Sequence, residues 1–77
     1  MLKSGGGVTI FQHVTIAESD KNKTTIISDN VVIGAGAVIL NNPTIGNGAK
    51  IGANAVVVSD IPAGATAIGI PAKIILK

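Results

Sequence analysis

The side chains able to do chemistry are few, and their positions limit what they could do. His13 is the sole imidazole in the 77 residues. An imidazole titrates near neutrality and can act as a general base, while His is also enriched several-fold among non-Gly residues at positive φ. Lys50 is the only charge between Asp29 and Asp60. It shares an outward face with Gly34 and Gly52, whose missing side chains would let a ligand come close. Lys73, near the tail, carries the same two readings, a solvated lysine or an anion contact. The absence of Cys excludes a disulfide framework and a thiolate metal site, and a single His excludes a His-rich one. Gly34, Gly36, Gly46, Gly48 and Gly52 are not a nucleotide fingerprint, because no helix pattern follows them to supply an N-terminal dipole.

The net charge is +2, from six Lys, no Arg and four acids. That is too weak for a nucleic-acid footprint, and Phe11, the one aromatic, offers no stacking platform. No apolar run approaches the ~18 residues of a spanning helix, since Gly and Asn interrupt every segment. No leader is visible, so a cytoplasmic location is the expectation. A chain this short is marginal alone, and with disulfides and metals set aside, oligomerisation is the remaining aid.

The elements that must position these side chains are read from a period of six. Ile27, Ile33, Ile39, Ile45, Ile51 and Val57 form one column. Two residues before each lie Thr25, Val31, Ala37, Pro43, Ala49 and Ala55. One residue before the last five of these stand Asn30, Gly36, Asn42, Gly48 and Asn54, with Asp60 six further on, types that tolerate positive φ and so mark a turn. Two inward residues two apart belong to an extended segment, and the third column closes it with a corner. The pattern predicts a parallel β-helix of hexapeptides, with three hexads per coil and roughly three to four coils of ~4.8 Å each.

Interruptions divide the chain. Residues 1–7 have no periodicity and three consecutive Gly, and read as a flexible lead-in. Residues 8–66 form the β-helix domain, beginning with Val8-Thr9-Ile10 and Val14-Thr15-Ile16. The spacing from Ile16 to Ile27 holds one hexad plus five residues, so polar residues 18–24 read as a loop thrown out at a corner. After Asp60 the register is expected to break at Pro62, with the column falling on Ala63. Residues 67–77 read as a closing segment with a short final strand.

Sorting outward residues by face gives three sets. The first holds Ile26, Ser28, Thr44 and Gly46; the second Thr9, Phe11, Val32, Gly34, Lys50 and Gly52; the third Thr15, Ala17, Val38, Leu40, Val56 and Val58. Four adjacent branched aliphatics on the third face form a patch that should not meet water. This predicts a subunit contact through Val38, Leu40, Val56 and Val58, in a closed ring.

The segments Val8 to Ile16, Val31 to Ile39 and Ala49 to Val57, with the ending Gly69-Ile70-Pro71-Ala72-Lys73-Ile74-Ile75, resemble the hexapeptide-repeat acyltransferases. Among these, the chain is most similar to the C-terminal part of serine O-acetyltransferases, over about residues 8 to 75. The resemblance implies an all-β, left-handed parallel β-helix, an exception to the usual crossover hand. It also implies a homotrimer with acetyl-coenzyme A in a groove between subunits, a hydroxyl or amine acceptor, and a His general base. Carried over residue by residue, it implies cofactor contacts from Gly34, Ala35, Gly36, Ala37 and Ala53, and cationic contacts from Lys50 and Lys73. The family's catalytic His and its acidic partner lie on a coil that would precede Met1. A second family His aligns with Thr24, and a Gly pair that approaches the cofactor is replaced by Ala17 and Glu18. His13 is the residue that could stand in as base.

The first functional expectation is therefore an acetyl-coenzyme A-dependent acyltransferase, or the C-terminal part of one. The alternative is a catalytically silent trimeric scaffold. An ice-binding solenoid ranks last, because Thr9, Thr15, Thr44 and Thr66 do not line one face.

Overall fold

The computed structural model describes residues 2–17, 20 and 22–75, and within them every regular element is a short strand. The first coil carries β1 (Leu2–Ser4), β2 (Thr9–Ile10) and β3 (Thr15–Ile16). The second carries β4 (Thr25–Ile27), β5 (Val32–Ile33) and β6 (Val38–Ile39), and the third β7 (Thr44–Ile45), β8 (Lys50–Ile51) and β9 (Val56–Val57). A fourth, partial coil holds an isolated bridge at Ile61 and β10 (Thr66–Ile68), and β11 (Lys73–Ile75) closes the stack. The strands stack into three sheets, ordered β1-β4-β7, β2-β5-β8-β10-β11 and β3-β6-β9. All pairings are parallel except β10 with β11. The result is a left-handed parallel β-helix.

Burial follows the period of six. Ile27, Ile33, Ile39, Ile45, Ile51 and Val57 point inward and are buried, as are Val31, Ala37, Ala49 and Ala55 two residues earlier. Each buried Ile or Val contributes about 1.5–3 kcal/mol through apolar surface taken from water. The corners turn through left-handed φ at Asn30 (60°), Gly36 (75°), Asn42 (50°), Gly48 (70°) and Asn54 (60°). At most corners the next N–H closes the turn, as Ala37 to Gly34 O, Ala49 to Gly46 O and Ala55 to Gly52 O. Pro43 has no N–H to give, and its corner turns through two left-handed residues instead, Asn41 (67°) and Asn42.

The coils differ in length, which the hexads alone do not show. Between the second and third coils the offset is 18 residues, as between Asp29 and Asn47. Between the first and second it is 23, as between Gly6 and Asp29, the five extra residues being the insertion before Thr25. Between the third and fourth it is 16, as between Thr44 and Asp60. That shortening revises the expected register after Val57. Ile61, not Ala63, enters the column: it bridges Ile45 and is 3% exposed. Ala65 and Ala67 follow it inward, and Gly64 (φ 74°) makes the turn. Asp60 has no left-handed φ; its Oδ1 accepts the Thr44 N–H at 2.8 Å across the shortened corner.

The stretch 1–7 also differs from its expectation. Leu2–Ser4 pairs with Thr25–Ile27 in register, and Gly5 N–H reaches Ile27 O at 2.7 Å. Three consecutive Gly supply the corner that brings the chain from β1 to β2, Gly7 taking φ 72°. Of the expected loop 18–24, residues 18, 19 and 21 lie outside the described residues. Among the described residues no helix is long and apolar enough to cross a membrane.

The two ends of the prism are unlike. Ile10 shares the inward column with Ile33 yet is 46% exposed, because no described strand lies above it. At the other end, Gly69 O accepts from Val56 N–H and Ala72 N–H donates to Val56 O, closing the edge of β9.

Candidate functional site

The chemistry-bearing residues converge on one corner of the prism and the sheet beside it. That corner joins the second sheet (β2, β5, β8, β10, β11) to the third (β3, β6, β9). His13 stands at its top, exposed, with φ 62°, the conformation expected of a corner residue. Gly36 and then Asn54 take the same place one and two coils below. Gly36 N–H donates to Gln12 O at 3.1 Å, and Asn54 N–H to Ala35 O at 2.9 Å. Gly34, Ala35 and Gly36 thus form the second-coil corner under His13, and Ala53 the third-coil corner.

Lys50 lies on β8, exposed, opposite Val32 on one side and Thr66 on the other. Lys73 lies on β11, also exposed, opposite Ile68. Both belong to the second sheet, with β10 between their strands. Phe11, half exposed, begins the same sheet's outer row above Gly34. Residues far apart in the chain therefore share one strip: an imidazole at the top corner, small residues down that corner, and two lysines on the neighbouring face.

Close inspection changes the role of three small residues. Ala37 is fully buried, its N–H bonded to Gly34 O and its carbonyl to Thr15 N–H. Its backbone N–H and carbonyl are thus both engaged within the stack. A methyl on Gly34 would sit 2.6 Å from Ala53 N and 2.9 Å from Ala53 Cα, so Gly34 is dictated by the stacking of one coil on the next. Gly52 does not present open space either, since a methyl there would meet Ile68 Cγ2 at 2.8 Å. The glycines expected to admit a ligand first serve coil packing.

The corner between the third and first sheets carries a feature that the period of six did not expose. Asn42 Oδ1 accepts the Asp20 N–H at 3.1 Å. Its Nδ2 donates to Lys23 O at 3.4 Å and to Thr25 Oγ1 at 3.2 Å. Thr25, fully buried, owes its satisfied hydroxyl to this contact. Within the insertion, Asn22 N–H donates to Asp20 Oδ1 at 2.9 Å and Lys23 N–H to Asp20 O at 3.1 Å. The signal lay in the sequence as Thr25, the one polar residue in an otherwise apolar inward column beside an insertion.

The described residues of one chain enclose no cavity. They also contain no group of three or more His, Cys, Asp or Glu placed to hold a metal ion. A ligand on the strip would meet an open surface of this chain.

Comparisons with known proteins agree with this architecture. Residues 24–59 match the family described as bacterial transferase hexapeptide (six repeats). A serine acetyltransferase of Buchnera aphidicola subsp. Schizaphis graminum is 47% identical over a 74-residue alignment that covers 91% of this chain and 28% of that protein. The solved structure of soybean serine acetyltransferase apoenzyme superposes with a TM-score of 0.78 at 33% identity, over 96% of this chain and 40% of that one. A serine acetyltransferase in complex with CoA superposes with a TM-score of 0.72, also at 33% identity, over 96% and 39% of the two chains. The chain thus spans well under half the length of the relatives it matches. The resemblance read from the sequence, to hexapeptide-repeat acyltransferases and among them to serine acetyltransferases, is the one these comparisons return.

Proposed function

We propose, on the premise that residues 24–59 are a bacterial transferase hexapeptide segment, that this chain forms the acetyl-coenzyme A-binding wall of an O-acetyltransferase acting on a small hydroxyl or amine acceptor. One observation carries the reading. His13, Gly34 to Gly36, Lys50, Ala53 and Lys73, dispersed in sequence, fall on one corner and one sheet of a prism that superposes on a serine acetyltransferase in complex with CoA. A coenzyme A molecule is an elongated polyanion. Lys50 and Lys73 would meet its phosphates, and Gly34, Ala35, Gly36 and Ala53 give a corner with almost no side-chain bulk for its extended arm. The fit is through shape and cationic charge, with the Ala37 N–H and carbonyl each already engaged within the stack.

Transfer needs a base, and His13 is the group of this chain that could supply it. A neutral imidazole would take the acceptor's proton as its oxygen attacks the thioester carbonyl. The carbon–sulfur bond then breaks, and the imidazolium returns the proton to the leaving thiolate.

The groove requires a second wall. The third face supports a homotrimer, with Val38 and Val56 paired in register and half-buried, Leu40 half-buried, and Val58 38% exposed. A contiguous apolar surface of this kind marks a contact between chains.

Calorimetric titration with acetyl-coenzyme A, followed by thiol release on adding L-serine, tests the reading. Binding with turnover that falls at least tenfold in H13A, with affinity retained, is the expected result. Silence at millimolar cofactor would overturn it in favour of a scaffold, and full activity in H13A would remove that residue from the mechanism.

A further inference from the structure

The corner between the first and second sheets carries a dipeptide whose chemistry the candidate site does not use. Asn47 is the one Asn of the chain followed by Gly. In such a pair the following amide nitrogen can attack the side-chain carbonyl and expel ammonia, because Gly offers no side chain to hinder the approach. The other Asn residues lack that opening. Asn30 precedes β-branched Val31, Asn42 precedes Pro43 with no N–H, and Asn22, Asn41 and Asn54 precede residues with a Cβ. Asn47 is exposed, and nothing lies within 4 Å of the place a Gly48 methyl would take. Its corner lies opposite the third face, so a subunit contact through that face leaves it in solvent.

The folded corner holds the reaction back. Gly46 to Ala49 form a turn closed by Ala49 N–H on Gly46 O at 3.2 Å, with Gly48 left-handed (φ 70°) at its third place. That is the type II arrangement, which turns the Gly48 nitrogen away from the Asn47 side chain. Ring closure needs the two side by side, so the Asn47–Gly48 peptide must first rotate. Hydrogen bonds to both neighbouring coils oppose this. Gly48 N–H donates to Asp29 O at 2.8 Å, and Asn47 O accepts the Gly64 N–H at 2.8 Å. The side chain is engaged as well, its Oδ1 accepting the Asp29 N–H at 3.0 Å. Asp29 thus grips both reacting groups from the coil above, and Gly64 holds the peptide from below.

We propose that Asn47–Gly48 is a site of spontaneous deamidation, latent in the closed stack and released when the corner at Asp29 opens. In the opened corner the Gly48 nitrogen gives its proton to hydroxide and attacks Asn47 Cγ. The new nitrogen–carbon bond closes a succinimide as the Cγ–Nδ2 bond breaks, and Nδ2 leaves as ammonia with a proton taken from water. Water then opens the ring. Attack at Cγ leaves an ordinary aspartyl residue, whereas attack at the main-chain carbon leaves an isoaspartyl linkage, which adds a methylene to the backbone of the third coil. Either product puts a carboxylate one strand spacing, ~4.8 Å, below the corner of Asp29.

Incubation of the full chain at neutral pH, with peptide mapping by mass spectrometry and isoaspartyl methyltransferase labelling, tests the proposal. The synthetic peptide Thr44–Ile51 supplies the unclamped rate. Each of the three clamping bonds contributes about fivefold, so conversion at Asn47 should be roughly a hundredfold slower in the chain than in the peptide. Gly46→Ala loosens the clamp. Its methyl would meet Ala63 N and lie 2.7 Å from Ala63 Cα, both backbone atoms, and so part the coils beside the Gly64 N–H. G46A should speed conversion in the chain about fivefold, for one bond lost, and leave the matching peptide unchanged. Urea below the unfolding transition should accelerate the unmodified chain in the same way, which keeps the test open where G46A does not fold. N47Q should abolish the product. Equal rates in chain and peptide would overturn the proposal, as would no acceleration by urea. Conversion at another Asn first, or none at Asn47 in the time that a hundredfold slowing sets, would overturn it too.

Discussion

The substitution Gly34→Ala separates steric from conformational demand at a corner. The methyl would lie 2.6 Å from Ala53 N, about 0.8 Å inside the 3.4 Å at which ordinary contact begins. Its neighbours are backbone atoms, so no side-chain rotation relieves the contact, and the two coils must part locally. Moving them apart by that distance stretches the Gly34 N–H to Ile51 O bond, now 2.8 Å, beyond hydrogen-bonding range. The loss is ~1 kcal/mol for the bond and about 1–3 kcal/mol for overpacking, so a destabilisation of roughly 2–4 kcal/mol is expected. Gly48→Ala is the control. Nothing lies within 4 Å of its added methyl, but its φ is 70°, so it carries only the left-handed penalty of about 1–2 kcal/mol. Urea unfolding at one fixed protein concentration measures both, because stability of an oligomer depends on concentration. Gly34→Ala unfolding at the same urea as Gly48→Ala, with equal m-values, would refute the reasoning, for it would mean that the coils slide apart without resistance.

Two further outcomes are expected. Ile39→Ala, at a fully buried column site between Ile16 and Val57, should cost about 2–5 kcal/mol, and Ile10→Ala, 46% exposed at the open end of the same kind of column, less than half of that; equal losses in urea unfolding would show that Ile10 is covered in solution. Val56→Glu should convert the oligomer to monomers by light scattering with the β-sheet circular-dichroism signal retained, and a monomer in the unmodified protein would remove the interface reading.

A one-dimensional repeat explains why so much was legible before any coordinates. A hexad is at once a strand, a corner and a pair of inward side chains, so Ile27 through Val57 announce both their secondary structure and their burial. The faces follow from counting, and Val38 over Val56 and Val32 over Lys50 stack as that count requires. His13 takes the left-handed corner conformation for the same reason as Asn30 and Asn54, which stand at equivalent places in the repeat.

What the count cannot carry is a change in coil length. Two residues absent between Val57 and Ile61 leave no mark in composition, and Ala63 fits an inward site as well as Ala65 does. Only the stacking of Ile61 on Ile45 decides which residue turns in. The same limit hid β1: Leu2–Ser4 has no periodic neighbour in sequence, and it becomes a strand because Thr25–Ile27 offers an edge 23 residues away. Asn42 binding the insertion, and Gly34 yielding to Ala53, are likewise contacts between coils. By itself the sequence determined which residues face inward and where the chain bends, since both are properties of one hexad. The tertiary structure decided register, loop anchorage and which small residues are already committed, because those depend on how one coil rests on the next.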